Sequence, residues 1–118
     1  MSKRIVVAGS RNYNDYNVAK AFIRETVKMI KTDIIIVSGG CRGADILGER
    51  YAAENGLSVE RYLPEWDKYG KSAGIIRNKK MAEVCDFAIC FWDGKSRGTA
   101  FMIEYCKKLN KDVIVKMI

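Results

Sequence analysis

Three short glycine-bearing segments of this sequence carry residue types suited to holding an anion. They are Gly9-Ser10-Arg11, then Ser38-Gly39-Gly40-Cys41-Arg42-Gly43-Ala44-Asp45, and then Asp93-Gly94-Lys95-Ser96-Arg97-Gly98-Thr99. Glycine lets backbone N–H groups come close to an oxyanion, and a helix that starts after such a turn adds a favourable partial positive charge. Arg11, Arg42 and Arg97 lie inside the three turns, and Arg77 lies near the start of a later helical stretch. A guanidinium there could chelate phosphate or carboxylate with paired hydrogen bonds. One such turn alone is as well explained as a tight strand-to-helix connection, and one such arginine as a solvated surface charge. Three together point to a ligand. Lys28, Lys31, Lys107, Lys108 and Lys111 fall towards helix ends, where they complement the helix dipole, and read as structural.

What is missing narrows the chemistry. The sequence has no histidine, which removes Ser-His-Asp triads, Cys-His pairs and the commoner zinc sites. Its four cysteines, Cys41, Cys85, Cys90 and Cys106, show no CxxC spacing and read as reduced, mostly buried thiols of a cytoplasmic protein. No metal site and no required cofactor are expected. Gly9-Ser10-Arg11-Asn12-Tyr13 lacks the later glycines of a GxGxxG fingerprint, and no Gly-Lys-Ser/Thr closes a Walker loop. NAD binding and ATP hydrolysis are therefore poor first readings.

The elements that must position these turns are legible from periodicity. Apolar runs rich in β-branched residues at 4–8, 34–38, 58–62, 87–92 and 112–116 read as strands; four stretches of helical spacing, at 16–31, 44–55, 72–85 and 99–109, separate these five runs. Alternation of this kind predicts a parallel α/β sheet with helices on both faces, and a strand order of 3-2-1-4-5 would put the reversal between the first and fourth strands. All three glycine turns then fall at strand carboxyl ends, on one edge. The stretch 63–71 reads as an irregular loop, with Trp66 and Tyr69 either packed on the surface or covering a ligand. At 118 residues with one proline and no repeat, one domain is expected. The apolar start is too short for a signal-peptide core, and no run approaches a membrane-spanning length. The formal charge of +7 and a pI near 9.3 fit a nucleic-acid partner or a small anionic ligand.

The ordered set Ala8-Gly9-Ser10-Arg11, Ser38 to Asp45, Trp66 with Tyr69-Gly70-Lys71, Ala73-Gly74 before Arg77-Asn78, and Trp92-Asp93-Gly94 through Ser96, Gly98 and Thr99 resembles the SLOG superfamily, in its small YspA/YpsA-related branch. The resemblance covers nearly the whole chain. It implies a Rossmann-like domain that binds nucleotides or nucleotide-derived molecules, related to the LOG enzymes, which cleave the N-glycosidic bond of nucleoside monophosphates, and to DprA, which binds single-stranded DNA. It also implies that Gly39, Gly40 and Gly43 belong to a phosphate or ribose loop. Gly98 and Thr99 would match the Gly-Thr of the LOG signature PGGxGTxxE, and Arg77 with Met81 its Arg-x-x-x-Met element. The glutamate of that signature is Met102 here. Glu104, two residues on, is turned about 200° away on a helix.

The leading expectation is thus a binding, sensing or sequestering domain for a nucleotide-like anion. The turns 39–44 and 96–99 would hold phosphate through their N–H groups, with Arg11, Arg42 and Arg77 neutralising it. Asp45 or Asp93 would accept from ribose hydroxyls, and Trp66 or Tyr69 would stack on a base. The alternatives are an N-glycoside hydrolase on the same pocket, using Asp45, Asp93 or Glu104 as acid or base, and a single-strand nucleic-acid binder. A homodimer through the helices that start near Tyr16 and Thr99 is a further expectation.

Overall fold

A computed structural model describes residues 2–118. In chain order the strands are β1 (Ser2–Gly9), β2 (Asp33–Ser38), β3 (Ser58–Arg61), β4 (Phe87–Trp92) and β5 (Asp112–Met117), and the helices are α1 (Tyr16–Lys28), α2 (Ala44–Glu54), α3 (Trp66–Tyr69), α4 (Ala73–Val84) and α5 (Arg97–Lys108). All strand pairs are parallel, in the order β3-β2-β1-β4-β5. The expected reversal between the first and fourth strands is therefore present, with Gly9 opposite Phe91 across the seam.

The near-continuous apolar run of β1 follows from its burial on both faces. Ile5 and Val7 join Ala19, Ile23, Leu47 and Tyr51 under α1 and α2. Val6 and Ala8 face the other way, against Met81, Ala82, Met102 and Cys106 of α4 and α5. Cys85, Cys90 and Cys106 lie in this second layer, as expected of buried thiols.

Helix α2 presses unusually close to β1, because a Cβ built at Gly48 would stand 2.7 Å from the Val7 Cβ. Helix propensity alone favours alanine over glycine by about 1 kcal/mol. Overpacking opposes it, and Gly48→Ala is expected to destabilise the protein by a net ~1–2 kcal/mol in a denaturant titration. A stabilised variant would show that α2 can lift off β1 freely.

The expected elements agree in type and order, with shifts at the ends. Helix α1 stops at Lys28 rather than 31, because the Met29 N–H donates to the Thr26 carbonyl and the Ile30 N–H to the Val27 carbonyl, tightening the last turn, and the Met29 side chain stands exposed. The stretch read as an irregular loop contains α3 and, at Gly70–Ser72, a 3₁₀ turn. Gly70, with φ +57°, breaks what would otherwise be one helix into pieces too short to show periodicity.

Candidate functional site

At the carboxyl edge of the sheet, over the β1/β4 seam, lies a cleft of about 430 Å³. Its lining brings together Gly9, Arg11, Asp45, Arg77, Asn78, Ser96, Gly98 and Thr99 from the expected set. It adds Ala8, Cys41, Lys71, Gly74, Ile75, Met81 and Met102. Open parallel sheets bind ligands at this place, where successive connections leave in opposite directions.

Two backbone contacts build the cleft's left wall. Gly43 has φ +87° and ψ −134°, a conformation reserved for glycine, and a Cβ there would collide with the Ser10 carbonyl and the Arg11 backbone. The Ala44 N–H donates to the Ser10 carbonyl at 3.3 Å. The first and second glycine turns are thereby held against each other, with Ser10 buried between them.

The loop after β2 spends many of its donors on itself. Gly40 N–H donates to Ser38 Oγ at 3.0 Å and Cys41 N–H to Asp45 Oδ2 at 3.3 Å. Ser38 is fully buried and donates to Glu49 Oε2 at 2.6 Å. With the Ala44 N–H also committed, at least half of the six amides expected to hold phosphate here are engaged internally. Ser38, Gly39, Gly40, Gly43 and Ala44 frame the cleft rather than line it, and Arg42 is exposed outside it.

The opposite wall is different. The β4–α5 turn is shaped by Asp93, whose Oδ1 accepts from Lys95 and Ser96 N–H at 2.8 Å each. Those two amides hold the Asp93 carboxyl below its usual range. Asp93 and Gly94 are exposed and lie outside the cleft, so Asp93 sets the turn rather than facing a ribose. Trp92 Nε1 donates to the Ser96 carbonyl at 3.0 Å, and the Ser96 and Thr99 hydroxyls pair at 3.2 Å. Helix α5 starts with no acidic side chain in its first turn, with Arg97 as its first residue and with Gly98 and Thr99 on the cleft. Helix α4 likewise starts without an acid, just after Lys71. Helix N-termini ordinarily favour acids and disfavour cations. Both choices here raise the positive potential of one cleft.

Arg77 is the centre of the site. It is 8% exposed, and its Nη1 donates to the Gly39 carbonyl at 2.8 Å and the Tyr62 carbonyl at 3.4 Å, while Nε donates to Asn78 Oδ1 at 2.8 Å. Among the described residues Nη2 has only the Cys41 sulfur, at 3.8 Å. Gly39 is required by this packing, since a Cβ would sit 2.7 Å from Arg77 Nη1 and 2.8 Å from Asp45 Oδ2. Among the described residues no ion pair involves Arg77. Asp45 is the one carboxylate among the lining residues, and burial pushes its pKa up to about 6 against the opposing pull of the Cys41 N–H and Arg77.

Trp66 and Tyr69 do not line this cleft. Trp66 is 55% exposed, and Tyr69 faces a second, smaller cavity on the far side of Arg77. Glu104 is exposed and away from the site, whereas Met102 is buried and forms part of the cleft wall. Among the described residues no cluster of His, Cys, Asp or Glu could hold a metal ion, and no helix is long and apolar enough to cross a membrane.

Residues 3–69, more than half of the chain, match the YspA, cpYpsA-related SLOG family. The chain belongs to that family. Gene 61 protein of Mycobacterium phage D29 is 29% identical over 95% of this chain and 94% of its own length. Among solved structures, DNA processing protein A (DprA) from Streptococcus pneumoniae superposes with a TM-score of 0.74 at 20% identity, over 98% of this chain and 50% of the other. DprA from Helicobacter pylori, described by its single-stranded DNA binding mode, gives 0.74 at 19% identity over 96% of this chain and 64% of the other. The protein TM1055 gives 0.71 at 21% identity, over 96% and 72%. The chain thus spans half to two thirds of the DprA chains, and the likeness is one of fold.

For this SLOG chain, sequence reasoning missed Cys41, Ile75 and Lys71 as cleft residues. Lys71 carried a signal, a cation two residues before a helix with no acid in its first turn. Cys41 had one as well, since it sits inside a glycine turn instead of an apolar run and is the half-buried exception among four free thiols.

Proposed function

We propose that this SLOG domain binds a nucleotide or nucleotide-derived phosphate in the β1/β4 cleft, as a sensor or a sequestering protein. The carrying observation is Arg77, a guanidinium 8% exposed that makes no direct salt bridge among the described residues. Asp45, the nearby carboxyl that Arg77 pulls on, is itself held back from ionising by burial, so a ligand oxyanion would supply the direct counter-charge that the guanidinium lacks. The start of α5 at Gly98 and Thr99, Lys71 and Arg11 would complete the anion site. Asp45 would accept from a sugar hydroxyl. The volume of about 430 Å³ is within the range of small-ligand sites. Family membership supports nucleotide chemistry, and four free thiols fit a reducing, cytoplasmic setting.

The test is to denature the purified protein, identify released small molecules by mass spectrometry, and run thermal melts with a nucleotide panel. A ligand at 100 times its Kd adds about 2.7 kcal/mol of stability. Lys71→Ala and Arg77→Met are each expected to weaken binding about tenfold or more, the loss of one charge-assisted contact. Nucleotide affinities unchanged in both variants would defeat the assignment. A recovered base or ribose phosphate would instead favour the hydrolase, with Asp45 as the acid or base in reach.

A second reading rests on the charge of +7 and on the likeness to the H. pylori DprA fold. Single-strand binding predicts an affinity that climbs with strand length and falls steeply with salt. Sedimentation of the same samples reads out the expected homodimer.

A further inference from the structure

Helix α4 has open space on both sides of its first two turns. Gly74, Ile75, Asn78 and Met81 face the main cleft, while Ala73, Ile76 and Lys80 face the second cavity of about 220 Å³, and Arg77 borders both. The two chambers differ in charge. In the main cleft Arg11, Lys71 and Arg77 face a single carboxylate, Asp45. In the second, Lys80 pairs with Glu65 at 3.7 Å, and Arg61 is engaged by Glu49 through both Nε and Nη2. What remains there is Tyr62, Leu63, Tyr69, Ala73 and Ile76, two aromatic rings and three aliphatic side chains around a compensated rim. Such a lining suits an uncharged, planar, partly polar group, with Glu65 able to accept from an amine or hydroxyl.

Resting on the reading of the main cleft as a nucleotide site, we propose that the ligand is a two-part nucleotide. Its phosphate-bearing half fills the main cleft, and a second heterocycle, joined through a phosphate that passes the Arg77 guanidinium, fills the chamber beyond α4. Arg77 is suited to the linking position: Nε and Nη1 are fixed to protein acceptors, while Nη2 is left with a sulfur contact at 3.8 Å. A mononucleotide uses one chamber and leaves the aromatic one empty.

The test is calorimetry with 5′-phosphorylated mononucleotides, dinucleotides and tetranucleotides of each base, on the wild type, Ile76→Trp, which fills the second chamber, and Lys80→Ala at its exposed rim. At least one dinucleotide is expected to bind tenfold or more tighter than its mononucleotide, with no further gain at four nucleotides. Ile76→Trp is expected to remove that gain and leave mononucleotide affinity within twofold; Lys80→Ala, which loosens the rim without touching the core, should reduce the gain. Mononucleotides that bind while dinucleotides gain nothing, or a gain untouched in both variants, would overturn the two-chamber ligand and leave the cleft assignment standing. Affinity that keeps rising at four nucleotides would replace it with a strand track. No binding by any member of the series would bring down the cleft reading itself.

Discussion

Asp45→Asn is expected to make the protein more stable at neutral pH, by up to about 3 kcal/mol, with the gain disappearing in acid. Burial raises the Asp45 pKa from 3.8 to about 6. Between those values the folded state holds a proton that the unfolded state has released, so stability falls as pH rises through this window and the full penalty is present above pH 6. The shift of roughly two units corresponds to about 3 kcal/mol. An asparagine keeps an oxygen for the Cys41 N–H and carries no charge. Chemical denaturation of both proteins from pH 4 to 8 checks this: a stability gap that does not change with pH would show that folding leaves the Asp45 pKa where it is in the unfolded chain. A position where a neutral isostere is more stable is one where charge or proton exchange serves something other than folding. Under the proposed function that is the ligand's hydroxyl or proton.

Gly43→Ala is expected to cost at least about 3 kcal/mol and to lower the melting midpoint accordingly. Two effects add: a side chain at φ +87° and ψ −134° is strained, and its Cβ would enter the space of the Ser10 carbonyl and the Arg11 backbone. The displaced contact ties the turn that carries Arg11 to the start of α2, so under the proposed function ligand binding in the cleft should be lost with it. By contrast, Gly56→Ala meets no atom within 4 Å and carries only the strain of its own φ of +67°. A Gly43→Ala protein no less stable than the Gly56→Ala control would contradict the tight apposition of the two turns.

The fold was readable in the sequence because its strands are doubly covered. Ile5-Val6-Val7-Ala8 and Phe87 to Trp92 must be apolar on both faces, so they stand out as runs, and the helices between them repeat with a different period. The glycine turns were equally plain, and their convergence on one edge follows from parallel pairing. What each turn does once there was less visible. Whether an amide in 39–44 faces a ligand or its own loop depends on Ser38 Oγ, Asp45 Oδ2 and the Ser10 carbonyl, contacts between segments that sequence spacing does not fix. The same holds for Trp66 and Tyr69: Gly70 re-aims the chain, Tyr69 ends at the second cavity on the far side of Arg77, and Trp66 stays exposed outside the cleft lining.

The strand order also governs how the molecule is assembled during synthesis. Strands β3, β2 and β1 are neighbours in space and contiguous in sequence, so they can pair as soon as residue 61 has emerged. From then until Trp92 is made, β1 presents one unpaired edge of an apolar strand, the kind of surface on which nascent chains associate wrongly. The seam that β4 closes is also the floor of the cleft. Under the proposed function, a ligand bound there would reward only chains in which β4 has paired with β1, and so would act on the joint that unites the first three strands with the last two.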